Sequence, residues 1–134
     1  MLIQFTLNLK QSINCFMGTW GIGITDNDTA SDVYADFVLL LKTNSIEKVM
    51  EKLTVHYQSK INSHEEQFNF WLAIASAQLD TKTLQNEIIE KVKKIILSGQ
   101  DILLWKELSA SESDINLRKE TLDNFLTLLT EYKN

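Results

Sequence analysis

The sequence predicts a mainly α-helical single domain of five to six antiparallel-packed helices behind a glycine-rich, irregular N-terminal segment. Three observations predict it. The chain has no proline and only four glycines, three of them (Gly18, Gly21 and Gly23) within six residues, which disfavours an all-β protein built on many turns. Apolar residues recur at helical spacing from Ala30 to the C-terminus. The apolar stretches are separated by a handful of polar residues, a length that makes consecutive helices antiparallel neighbours.

Residues 1–16 differ from the rest. Ile3, Phe5, Leu7 and Leu9 alternate with Gln4, Thr6, Asn8 and Lys10, the pattern of a short half-buried strand, but no second run is as clear a pairing partner. The other reading makes Met17 the initiator and 1–16 an upstream extension; it is favoured because the densest motif begins directly after Met17. Residues 17–134 then form the single helical domain. The leader lacks the basic start, unbroken apolar run and small residues of a secretory signal, and no run is long enough to cross a bilayer. A cytoplasmic protein is the expectation.

The helices follow in order. Ala30, Val33, Phe37 and Leu40 share one face, with Asp28 or Thr29 as the expected cap. Asn44-Ser-Ile-Glu47 resembles a capping box and opens a helix whose inner stripe is Ile46, Val49, Met50, Leu53 and Tyr57. Ser63-His-Glu-Glu66 is another such box, ahead of FNFWLAIASAQL, which is apolar nearly all round and is therefore the central helix. Leu84, Ile88, Val92 and Ile95 line a fourth helix that Gly99 should stop. A short helix is expected from Ile102 to Leu108. The last begins near Asp114 and carries Ile115, Leu122, Phe125, Leu126, Leu129 and Tyr132 on one stripe.

Composition narrows the function. With 134 residues the chain can bury a core unaided. Thirteen Lys+Arg against 18 Asp+Glu give a net charge of −5, so neither a nucleic-acid nor an anionic membrane surface is expected. One cysteine forms no internal disulfide, and two histidines leave little room for metal chemistry.

The stretch MGTWGIGITDNDTASD invites a phosphate-cradle reading. Its glycine spacing matches neither common phosphate loop, no lysine follows, and Asp26, Asp28 and Asp32 would repel an anion. The favoured reading is structural, with glycines letting the backbone bend around Trp20. Asp28, Asp32 and Asp36 share a helical face, but the EF-hand count from Asp26 fails at Ser31 and Phe37; no metal and no cofactor are expected. His64-Glu-Glu-Gln-Phe68 is not a zinc motif, no serine sits in a nucleophile elbow, and no catalytic set assembles. On the central helix Trp71 and Gln78 share a face. They form either a small pocket, with Trp71 as floor and Gln78 as hydrogen-bonding group, or a structural contact in which Gln78 satisfies the glycine loop and Trp20 packs on Trp71. The second is favoured.

The motifs MGTWG, Asn27-Asp28-x-Ala30-x-Asp32 and Phe70-Trp71-x-Ala73-x-Ala75-x-x-Gln78 together resemble a family of small bacterial proteins, domain of unknown function 4259. The resemblance runs from Met17 to the C-terminus, and residues 1–16 depart from it. It implies a bacterial cytoplasmic protein that starts at Met17, and it implies no activity.

Three functions follow as expectations. The first is a non-catalytic, immunity- or defence-type module that covers a basic protein partner with Glu65, Glu66, Glu87, Glu90, Glu107 and Glu112. The second is a small-ligand-binding protein or hydrolase using Trp20, Asp28, Asp32, Trp71 and Gln78. The third is a homo-oligomeric accessory domain joined through Ile102-Leu-Leu-Trp105, since four consecutive apolar residues cannot all face inward on an amphipathic helix. The sequence does not determine whether the chain is a monomer or a homo-oligomer.

Overall fold

Residues 23–132 are described in the computed structural model, and they form helices α1 (Asp28–Leu41), α2 (Ile46–His56), α3 (Gln58–Ile61), α4 (Gln67–Thr81), α5 (Asn86–Ser98), α6 (Gln100–Glu107) and α7 (Glu112–Glu131). There is no strand among the described residues. The alternating run in 1–16 lies outside them, as do Gly18, Trp20 and Gly21. Among the described residues no helix is long and apolar enough to cross a membrane.

The helix starts lie close to the expected positions, with the capping duties assigned to different residues. Asn27, in extended backbone, caps α1: its Oδ1 accepts from the Ala30 amide at 2.8 Å. Asp28 is thereby the first helical residue, where the macrodipole favours a carboxylate. At α2 the cap is Ser45, whose Oγ accepts from the Lys48 amide at 3.2 Å. Asn44 faces the other way and donates to the Leu40 carbonyl at 2.9 Å, closing the end of α1. Two helix ends meet in this short link, so the two adjacent polar residues serve one each.

Ser63 does accept amides, from Glu65 and Glu66, both at 3.2 Å. The reciprocal half of that box is missing, because Glu66 accepts from Asn69 instead, at 3.0 Å. Helix α4 ends with Lys82 left-handed at φ 61° and the Thr83 amide donating to the Gln78 carbonyl at 2.9 Å, a Schellman-type stop made without glycine. Gly99, at φ 76°, separates α5 from α6 as its composition suggests.

Helix α4 is the core. Phe70, Leu72, Ala73, Ile74, Ala75 and Ala77 are fully buried, and they point in every direction around its axis. Helix α1 lies along it in the most extensive helix pair. Asn27 pairs with Asn69 and Tyr34 with Asp80, so these two helices run parallel. The short turn between α4 and α5 gives an antiparallel pair, as expected; α2 and α3 intervene between α1 and α4 and reverse the chain once more. Helices α6 and α7 close the other side against α5.

Candidate functional site

The loop–helix residues do not converge on one pocket. Trp20 lies outside the described residues, and Asp28 and Asp32 are exposed on α1. Gly23 is tied locally: its amide donates to Asp26 Oδ2 at 2.8 Å, and a Cβ added there would sit 2.6 Å from that oxygen. The Gly23 amide is therefore committed to a side chain of its own turn. Asp36 accepts a short hydrogen bond from the Tyr57 hydroxyl. Burial, Asp36 and the nearby Asp32 push the Tyr57 phenol well above its usual range. Tyr34 is raised likewise, by burial and by Asp80, whose Oδ2 it meets at 2.6 Å.

Gln78 is fully buried, and its partner is the α4–α5 connection rather than the glycine loop. Its Oε1 accepts from the Gln85 amide at 3.0 Å, and its Nε2 donates to Gln85 Oε1 at 2.9 Å. The antiparallel return of α5 brings Gln85 across from it, and the buried amide thereby satisfies a backbone donor just ahead of a helix that has no side-chain cap. The remaining contact is Met50 Sδ, 3.5 Å from Nε2.

Trp71 does open outward. It is half-buried at the base of a groove of about 300 Å³ between α2 and α5. Glu47, Met50 and Glu51 line one wall, and Glu87, Ile88 and Lys91 the other. The Phe70 ring meets Trp71 edge-on, with centroids 4.8 Å apart, and fixes the indole from below. Lys91 Nζ lies 4.5 Å from the Trp71 ring centroid. Helical spacing alone does not show this groove, because α2 and α5 meet there only through tertiary packing on α4.

Of the acidic candidates, Glu65, Glu87, Glu90, Glu107 and Glu112 are exposed, and Glu66 is half-buried against Asn69. Glu107 Oε1 accepts from His64 Nε2 at 2.9 Å across an exposed surface, and that carboxylate lifts the His64 pKa above its ordinary value. His64 thus sits in the turn before α4 rather than in its first turn. Among the described residues, Glu65, Glu87, Glu90 and Glu112 enter no ion pair.

The segment Ile102-Leu-Leu-Trp105 is divided between surface and core, with Ile102 half-buried. Leu103 is 57% exposed, whereas Leu104 and Trp105 are buried. Asp101, Leu104 and Trp105 together form the inner face of α6.

A buried ion pair lies beneath them, and sequence reading missed it. Arg118, the only arginine in the chain, donates from Nε and Nη2 to the two Asp101 oxygens at 2.8 and 3.1 Å. Its Nη1 donates to the Gly23 carbonyl at 3.2 Å, and its guanidinium lies 5.0 Å from the Trp105 ring centroid. The signal was present: Ile115, Arg118, Leu122, Phe125 and Leu129 form one helical stripe with a cation inside it. Among the described residues no group of three or more histidine, cysteine, aspartate or glutamate side chains is placed to hold a metal ion. No family model, curated protein or solved structure matches the chain.

Proposed function

We propose that the domain is a non-catalytic protein-binding module, cytoplasmic and of the immunity or defence type, whose acidic helical surface covers a basic protein. The observation that supports this reading is the set of exposed carboxylates, Glu65, Glu87, Glu90 and Glu112, which enter no ion pair among the described residues. All 18 acidic residues fall within 23–132, whereas Lys10 and Lys133 fall outside. The helical body is therefore more acidic than the whole chain. Such a surface steers an oppositely charged partner and suppresses wrong ones.

The test is capture of partners at low salt, where screening is weak, with the wild-type chain beside a variant carrying Glu65→Lys, Glu90→Lys and Glu112→Lys. A stoichiometric basic protein retained by the wild type and lost with the reversed charges supports the reading. Equal retention by both, or no basic protein with either, refutes it.

A further inference from the structure

In the groove between α2 and α5 the chain supplies its own cation to an aromatic floor. Lys91 Nζ stands 4.5 Å from the Trp71 ring centroid. Three carboxylates border the same groove, Glu47 and Glu51 from α2 and Glu87 from α5, yet Lys91 enters no ion pair with any of them. Among the described residues Glu51 is engaged only by an exposed contact with Lys48. The groove thus carries more negative charge than its single ammonium balances. Met50 and Ile88 supply apolar walls along which an aliphatic stem can lie.

We propose that this groove seats a lysine or arginine side chain from a basic segment of a protein partner. Trp71 is the cation–π platform, the three glutamates are the charged rim, and Lys91 is an internal stand-in that the incoming cation displaces. Arginine fits best, because its planar guanidinium stacks on an indole while its donors reach carboxylates to either side. The inference rests on the reading of the domain as a binder of basic proteins and names where one contact is made. Displacement is inexpensive in geometry: Lys91 is exposed, on a flexible stem, and leaves the ring for water.

The experiment titrates the full ¹⁵N-labelled chain with a short alternating Arg-Gly peptide and follows the Trp71 indole N–H, assigned with Trp71→Phe. The expected result is a saturable shift of that signal. Lys91→Ala removes the competitor and should tighten binding about two- to five-fold relative to Lys94→Ala. Lys94 does not line the groove, so it carries the same charge change without the vacancy. Glu47→Gln, Glu51→Gln and Glu87→Gln together should weaken binding by at least as much. An indole that does not move, or a Lys91→Ala chain that matches Lys94→Ala, overturns the proposal. Spermine binding as tightly as the peptide reassigns the groove to small polyamines and also overturns it. None of these variants alters Glu65, Glu90 or Glu112, so the groove can fail while the charge-reversal test still succeeds.

Discussion

Arg118→Met should be among the most damaging single substitutions in the domain. The side chain is 1% exposed, and so is its partner Asp101. Methionine keeps most of the aliphatic length but removes the guanidinium's hydrogen bonds, among the described residues two to the Asp101 carboxylate and one to the Gly23 carbonyl. What remains is a carboxylate held away from water with no counter-ion. Breaking a buried pair in this way costs ~3–5 kcal/mol, a large part of the ~5–15 kcal/mol that stabilises an ordinary domain. Adding Asp101→Leu removes the stranded charge and should recover much of the loss. The Gly23 carbonyl still lacks its donor, so the double variant should keep a deficit of ~1–3 kcal/mol. Urea unfolding followed by far-ultraviolet circular dichroism, on both single variants and the double, gives the coupling directly. A loss below ~1 kcal/mol for Arg118→Met, or single losses that simply add, would refute the argument.

Three further outcomes follow from the same structure. Gln78→Met, close in size, should cost ~1–3 kcal/mol because it strands the Gln85 amide; thermal unfolding measures it, and an unchanged midpoint would remove Gln78 as the clasp of the α4–α5 turn. Asn27→Ala should lose ~0.5–2 kcal/mol as an N-cap, whereas Asp28→Ala should lose less, and urea midpoints of the two variants rank them. The His64 pKa, read from its ring protons by NMR, should lie above the ordinary value of about 6.5 and fall back in Glu107→Gln. Because the folded value is the raised one, the stabilisation from this contact is fully present below the unfolded pKa and is lost as pH rises through the folded pKa; a stability difference between wild type and Glu107→Gln that grew with pH would contradict that sign.

The helices were legible because each carries its own period, and α4 was legible as the core because small and apolar residues surround its whole axis. Gly99 was legible as a stop because a left-handed residue favours glycine. The caps were misassigned by a residue where polar neighbours compete: Asn44 and Ser45 can both cap, and only the geometry of the α1–α2 link decides which helix end each serves. Gln78 was correctly singled out as a polar group in an apolar helix, but its partner depends on the return of α5 and was assigned to the wrong segment. Asp101 and Arg118 each stand at an inward position of a helix. Read helix by helix, each is an ordinary charge; only their pairing across the α6–α7 connection explains the burial of both.

The polar groups of the fold therefore divide into two sets with different physical roles. Asn27 with Asn69, Gln78 with Gln85 and Arg118 with Asp101 join segments that helical packing alone would not hold in register, and Arg118 also anchors the Gly23 backbone. Of these residues only Gln78 stands out in the sequence as a polar group in an apolar helix, but each is consumed by an internal partner. The carboxylates of α5 and of the α4 and α7 starts interrupt nothing, since a solvated helix face or a first turn is where acids belong. That Glu65, Glu87, Glu90 and Glu112 enter no ion pair among the described residues becomes visible only once the fold is known. The polar residues that meet an internal partner thus build this domain, and the exposed carboxylates are those whose positions need no further structural explanation.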